Sequence, residues 1–371
     1  MSKLILIDGT AVAYRSYFAL IRSPLINSRG ENTGAVLGFI NSLNKIVREY
    51  QPDFLAVVFD TPAPTFRHEM YKEYKATRAK TPDELIEQFP WIDRAIEAFN
   101  IPVIRMDGYE ADDLIGTLSV KASEAGMDVL MFTGDKDFYQ LVNDKIKILH
   151  PKDFSIIDPE RVKEKFGVYP ERVIDMLALM GDTSDNVPGV EGVGPKTAIS
   201  LIEEFGDFET VLSEGPSRRK GKVAKMLAEH KEQAELSRNL VTIRLDCPID
   251  FEPENLSVKE PDNQKLAQLF QRLEFKTLAK KYASEEANSL FDSTPGTISS
   301  DYKAVTDLLE LDDLLAAAGR IGEIAVDTET TSIKAIKAKL VGLSFSFKET
   351  TGYYVPVGHQ SGDNLPLDEV L

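Results

Sequence analysis

The chain has 371 residues, 43% of them hydrophobic, and a formal net charge of −17. That length exceeds one typical domain and implies two or three, each apolar enough to build its own core. A single cysteine, Cys247, excludes a disulfide framework and zinc-finger spacing, and no apolar run approaches the length of a signal peptide or membrane span; the expectation is a cytoplasmic protein with no membrane partner.

In chain order, LILI ending at Asp8 reads as a short buried strand. GAVLGFINSLNKIVREY follows, with Val36, Phe39, Ile40, Leu43 and Val47 at helical spacing. FLAVVF ends at Asp60. Residues 65–80, TFRHEMYKEYKATRAK, carry a local balance of +3, with Phe66, Tyr71 and Tyr74 between the charges. PVIRM leads into Glu110, Asp112 and Asp113, which open a helix closed by Gly126. VLMFTG ends at Asp135 and Asp137, and KIKIL and FSIID read as an added strand pair. This alternation predicts an α/β domain over 1–165, a parallel sheet with helices on both faces, and a basic arch at 61–90.

Residues 166–283 read as mostly helical. PERVKEKFG and PERVIDMLALMG each begin with a proline suited to a first turn and end in a capping glycine. Asp182 and Asp185 follow. In VPGVEGVGPKTAISLIEEFG, Gly192 and Gly194 precede a helix whose first turn holds Lys196 and Thr197. Glycines there let backbone N–H groups approach a phosphate at a helix N-terminus, so a helix-hairpin-helix clamp is expected. GPSRRKGKVAK, at 215–225, adds five basic residues and no acid. Residues 284–301 are small, polar and broken by Pro and Gly, and read as a linker. Strand, helix and further strands are expected over 302–371.

Nine carboxylates therefore stand where apolar runs stop: Asp8, Asp60, Glu110, Asp112, Asp113, Asp135, Asp137, Asp182 and Asp185. Single acids after strands are usually caps or turn residues. Three acids within four residues at 110–113 exceed what capping needs. Ligands of open α/β sheets bind outside the carboxyl ends of the strands, where these acids would gather. Gathered carboxylates repel unless cations sit among them, and hard divalent ions, Mg²⁺ or Mn²⁺, suit oxygen ligands. The expectation is a two-metal phosphodiesterase. These nine acids make up more than half of the net charge, so overall acidity does not exclude a nucleic-acid partner.

LILIDGTAVAYRSYFA, VVFDTPAPTFRHEMYKEYKATR, GYEADDLIGTL, FTGDKDFYQLV and LALMGDTSDNVPGVEGVGPKTA, in that order, resemble the 5′ nuclease region of the bacterial DNA polymerase I family, within the flap endonuclease superfamily. The resemblance implies a PIN/5′-nuclease-like α/β fold with a helical helix-hairpin-helix subdomain. It implies two Mg²⁺ or Mn²⁺ ions per site, held by the nine acids, and catalytic roles for Lys75, Arg78, Asp112 and Asp113. It assigns DNA contacts to Arg15, Arg67, Tyr74, Gly192, Gly194, Lys196 and Thr197, with K⁺ at the hairpin. The implied activity is 5′–3′ exonuclease or flap endonuclease action of a monomer on flapped, nicked or branched DNA, RNA-primed strands included, in replication and repair. The tail, with Val326-Asp327-Thr328-Glu329-Thr330, resembles the start of that family's 3′–5′ exonuclease, an RNase H-like fold. The family's later motifs and polymerase region do not follow, so a fragment without polymerase or proofreading activity is expected.

Three other readings compete. A structure-specific DNA binder would use the same acids to organise its fold. A PIN-type ribonuclease would be shorter and lack the hairpin. A nucleotide-binding domain is disfavoured because G-x-x-x-x-G-K-[ST] is absent.

Overall fold

The computed structural model of the chain describes residues 2–283, 301–319, 324–332, 338–347, 351–359 and 364–370. They belong to two compact units, Met1–Ala283 and Ser284–Leu371. The linker expected over 284–301 lies, Asp301 apart, outside the described residues.

The sheet of the first unit has six strands: β1 (Lys3–Asp8), β2 (Phe54–Val58), β3 (Val103–Ile104), β4 (Asp128–Phe132), β5 (Ile146–Leu149) and β6 (Ile156–Ile157). Their spatial order is β3-β2-β1-β4-β5-β6. All neighbours pair in parallel except β5 and β6. The winding reverses between β1 and β4, which makes their carboxyl ends a switch point, where a crevice opens for ligands. Asp8 pairs with Val58 and Ile7 with Phe132, so β1, β2 and β4 end level with one another.

The helices in chain order are α1 (Gly9–Leu20), α2 (Gly34–Tyr50), α3 (Phe66–Met70), α4 (Asp83–Ile86), α5 (Phe89–Ala98), α6 (Ala111–Glu124), α7 (Pro159–Phe166), α8 (Val173–Met180), α9 (Pro195–Phe205), α10 (Phe208–Arg218), α11 (Lys222–Glu229), α12 (Lys231–Val241), α13 (Asn263–Arg272) and α14 (Lys276–Tyr282). Alternate residues of a strand point to opposite faces. Leu4 and Leu6 join Val58, Val129 and Met131 under Leu114, Ile115 and Leu118 of α6. Ile5 and Ile7 join Val57 and Phe132 under Phe39 and Ile40 of α2, Ile96 of α5 and Phe270 of α13. Both faces are covered, which explains why these strands read as unbroken apolar runs.

The α6 side of this core continues into α8 to α12 through Leu177, Leu201, Val211, Leu227 and Leu240. The helical segment therefore shares its core with the sheet. The basic segment expected as an arch holds two short helices, α3 and α4, joined by turns. Lys75 lies in the left-handed region (φ 56°), its N–H bonded to the Asp185 carbonyl at 2.9 Å.

In the second unit, β7 (Asp301–Ala304), β8 (Ala325–Thr330), β9 (Leu340–Ser346) and β10 (Thr351–Pro356) form a sheet of order β7-β10-β9-β8. Helices α15 (Leu308–Ala318) and α16 (Leu367–Val370) accompany it. Val305, Leu311, Phe345, Val355 and Leu365 form a small core. All six residues of β8 are exposed, Asp327 and Glu329 among them.

The loop after α8 doubles back on itself. Asp182 and Val187 exchange backbone hydrogen bonds of 2.9 and 2.7 Å. Gly181 and Gly189 both have positive φ, and a Cβ on Gly189 would lie 2.3 Å from the Gly181 nitrogen. A Cβ on Gly194 would meet nothing within 4 Å. Gly189→Ala is expected to lower unfolding stability by about 2 kcal/mol or more, from backbone strain and collision. Gly194→Ala should be near neutral in the same urea titration; an equally small loss for Gly189→Ala would show that the doubled-back loop is not rigid.

Candidate active site

Asp8 ends β1 and caps α1. Its Oδ1 accepts from the Ala11 N–H (2.9 Å) and its Oδ2 from the Thr133 hydroxyl (2.9 Å). Asp60, exposed just past β2, accepts from the Ala111 N–H at 2.9 Å and so fixes the start of α6. Glu110 and Asp112 stand at that start. Asp135 follows β4 and accepts from the Asp137 N–H (2.9 Å), opening a 3₁₀ turn over Lys136–Leu141. Capping is therefore real for several of these acids, yet it occupies only part of each carboxylate.

Eight of the nine acids share one electrostatic field. Burial raises Asp8 to about 7 from an ordinary 3.8, with Asp60 and Asp135 pushing the same way. Burial, then Asp135 and Asp8, hold Asp112 well above the usual range. Asp135 is raised by burial and by Asp185 and Asp182. Asp137 is raised strongly by burial and by Asp135, Asp182 and Asp185. Its Oδ1 is buried without a hydrogen-bond partner.

Cations stand among these acids. Lys75 Nζ lies 2.6 Å from Glu110 Oε1 and 3.6 Å from Asp185 Oδ2. Arg78 pairs with Asp185, and Lys136 Nζ lies 3.0 Å from Asp182 Oδ2. Burial alone would raise Asp185, but Lys75 and Arg78 hold it below the usual carboxylate value. Burial opposes the charge of Lys75, and Glu110 and Asp185 more than offset it, raising its pKa. Among the described residues no three acids or imidazoles already form a ligating group. The donor set nonetheless fits hard divalent ions: desolvated, mutually repelling oxygens, one of them orphaned.

Three expected roles need correction. Asp113 is 0% exposed and fully engaged by hydrogen-bond donors. Its oxygens accept from Arg67 Nη1 (2.7 Å), Arg67 Nη2 (2.8 Å), the Arg244 N–H (2.8 Å) and the Glu110 N–H (3.1 Å). A carboxylate offers about four lone-pair sites, so none remains for a metal ion or a reacting group. Arg67, expected on DNA, is 2% exposed and forms the other half of that pair. Tyr74, expected to stack on a base, is 4% exposed, and its hydroxyl donates toward Glu110 and Asp185 at 3.1 Å each. Removing one partner of a buried pair such as Arg67–Asp113 costs about 3–5 kcal/mol, because the other charge is left uncompensated.

Sequence reasoning missed Thr133 and Gln140. Gln140 donates to the Asp137 carbonyl (2.8 Å) and the Val241 carbonyl (3.0 Å) and accepts from the Ile243 N–H (3.0 Å). Nothing local marks it, because two of its three partners lie about a hundred residues away. The remaining expected contacts are on the surface. Arg15 is exposed on α1; Gly192 (φ 76°), Gly194 and Lys196 are exposed, with Gly194 capping α9, and Thr197 is half-buried.

Residues 3–167 match the family described as 5′-3′ exonuclease, N-terminal resolvase-like domain, and residues 168–264 its C-terminal SAM fold. Residues 302–371 match a 3′-5′ exonuclease family. The 5′-3′ exonuclease of Aquifex aeolicus is 42% identical over 282 residues, covering 76% of this chain and 95% of that protein. The chain belongs to the 5′–3′ exonuclease family of bacterial DNA polymerase I. DNA polymerase I of Chloroflexus aurantiacus is 38% identical over 405 residues, covering 99% of the chain and 43% of the relative. That of Pseudomonas aeruginosa is 42% identical over 382 residues, covering 99% and 42%. The chain thus spans about two-fifths of the length of these polymerases. The family makes it a nuclease. Its fold is that of a T5 5′-exonuclease solved with zinc ions bound, at TM-score 0.57 and 22% identity, covering 75% of this chain and 99% of that one. Among the described residues no helix is long and apolar enough to cross a membrane.

The raised carboxyl groups fix a pH dependence. Between 3.8 and about 7 the folded protein keeps a proton on Asp8 that the unfolded chain has lost, so stability falls as pH rises through that window. The thermal midpoint in EDTA is expected to fall between about pH 5 and about pH 8, and Asp8→Asn should raise the midpoint at the upper end. Mg²⁺ should stabilise the parent more at the upper pH, where protons no longer compete for the oxygens. A Mg²⁺ shift independent of pH in differential scanning calorimetry would remove these acids as its cause.

Proposed function

We propose that the chain hydrolyses DNA phosphodiesters near the 5′ end of a strand, at a flap or nick, with two divalent ions, leaving a 5′-phosphate and a 3′-hydroxyl. The observation that carries this reading is the desolvated, mutually repelling acid set at the switch point of the sheet, with Lys75 and Arg78 at its rim. When bound, divalent ions supply a hydroxide at neutral pH and neutralise charge on the phosphate and leaving oxygen. Asp8, Asp112 and Asp135 would hold one side of that pair of ions, and Asp137, Asp182 and Asp185 the other. Glu110 and Asp60 would act at the edges, Asp60 also holding α6 by its N-terminal N–H. Asp113 has no part in ligation.

Lys75 and Arg78 are the cations nearest the acids, and electrostatic stabilisation of a charged transition state is their role here. Their pairing with Glu110 and Asp185 keeps both side chains directed at the site. The duplex beyond the cut would lie on the hairpin before α9, where the exposed Gly192 and Gly194 put no side chain between backbone and phosphate and the exposed Lys196 would meet it.

The deciding experiment is Mg²⁺-dependent cleavage of labelled flap, nicked and single-stranded DNA. Asp112→Asn should abolish cleavage while duplex binding persists; binding without any cleavage by the parent would favour a structure-specific DNA binder. Lys75→Ala should slow single-turnover cleavage by about a hundredfold or more, a transition-state loss, with less than a few-fold change in affinity. Equal losses in rate and affinity would reduce Lys75 to simple attraction. Gly194→Ala should weaken duplex affinity and spare single-strand binding; unchanged duplex affinity would take the hairpin out of recognition.

A further inference from the structure

Residues 240–244 run on from the carboxyl end of α12 and touch both acid-bearing turns. We propose that Arg67 and Gln140 are positioning residues that hang these two turns, Glu110–Asp113 and Asp135–Asp137, on that single strap. The proposal rests on the nuclease reading and adds what holds its acids in register.

Four of the five N–H donors of Arg67 make hydrogen bonds. Nε donates to the Leu240 carbonyl (2.8 Å) and Nη2 to the Thr242 carbonyl (2.9 Å). The fork grips Asp113 at 2.7 and 2.8 Å, and Nη1 lies 3.4 Å from Glu110 Oε2. Arg67 is 2% exposed, so it acts on the site only through other groups. The Arg244 N–H adds 2.8 Å to Asp113 from the strap itself. Gln140 repeats the arrangement on the other turn, joining the Asp137 carbonyl to the Val241 carbonyl and Ile243 N–H. A lysine at 67 has neither the planar fork nor the donor count to make these bonds together.

The strap also has a fixed far end. Gln233 Nε2 donates to the Gly189 carbonyl (2.8 Å), and the Gly189 N–H donates to Ser237 Oγ (2.9 Å). Helix α12 therefore grips the loop behind Asp182 and Asp185 on one side and, through Arg67 and Gln140, the turns of Glu110, Asp112, Asp135 and Asp137 on the other. Acids from distant parts of the chain are registered against one helix. Partners of this kind behind metal ligands are worth about 10–100-fold in metal affinity or activity.

The test uses the full chain with Arg67→Gln and Asp113→Asn together, which removes both charges and leaves no lone buried one. Gln140→Met is the second variant; it keeps side-chain length and removes the hydrogen bonds. Three quantities are read: hydrogen exchange of the amides of residues 111–114 and 136–138, Mn²⁺ affinity by titration, and single-turnover flap cleavage beside duplex affinity. The double variant is expected to exchange faster at 111–114 and to bind Mn²⁺ about 10–100-fold more weakly, with duplex affinity within a few-fold of the parent. Gln140→Met should loosen 136–138 and weaken Mn²⁺ in the same way, and Arg67→Lys should not restore the parent values. Parental exchange and Mn²⁺ affinity in either folded variant would overturn the proposal. If the double variant does not fold, Gln140→Met alone decides it. A parent that neither binds Mn²⁺ nor cuts DNA would sink the nuclease reading, while the exchange measurement would still report on positioning.

Discussion

Carboxylates withdrawn from water and set side by side repel, and much of this molecule answers that repulsion. Asp8, Asp112, Asp135 and Asp137 are all pushed toward their protonated forms by burial and by each other. Basic side chains stand beside the acids around them. Lys75 and Arg78, from the segment after β2, pair with Glu110 and Asp185, and Lys136, from the turn after β4, pairs with Asp182. The conformation of residues 71–78 follows from that demand. Lys75 takes an unusual backbone angle, its N–H held by Asp185, and its ammonium reaches Glu110 and Asp185.

The sheet supplies the framework that makes the repulsion unavoidable. Strands that end level at a switch point deliver their terminal acids to one edge, whatever lies between them in the chain. Two buried faces fix the register, because a one-residue slip would turn Leu4 and Leu6 into the positions of Ile5 and Ile7 and carry Asp8 off the edge.

Much of this was legible beforehand. The apolar runs that begin at Leu4, Phe54 and Val129 are strands, because parallel strands buried on both faces leave a plain composition signal, and KIKIL with FSIID forms the expected added pair. The terminal acids were found by the same reading. What sequence could not distinguish was which acids face the site. Asp112 and Asp113 are neighbours of identical chemistry, yet a helix turns consecutive side chains about 100° apart, so one meets Asp8 and Asp135 while the other meets Arg67. The basic stretch at 65–80 reads as part of an arch whose Arg67 and Tyr74 meet DNA. Both are instead buried, a difference set by tertiary partners at Leu240, Thr242, Glu110 and Asp185. Gln140 left no trace because its bonds close a loop of about a hundred residues.

The second unit shows the opposite balance. Its strands follow the expected order, but among the described residues its buried core is five side chains, and β8 is exposed along its whole length with Asp327 and Glu329 on it.

The strap after α12 has a consequence for building hybrids of this nuclease. A helical segment exchanged at the natural-looking break near Gly194 or Gly206 would import a foreign α12, and with it foreign carbonyls at 240 and 242 and a foreign N–H at 244. Because those backbone atoms complete the shells of Arg67 and Asp113, a functional crossover point lies after Ile249, whose carbonyl accepts from Lys121 Nζ of α6 (2.6 Å), beyond the Cys247 N–H bond to Thr117. The unit of exchange is set by hydrogen bonding to α6, and it is longer than the secondary structure implies.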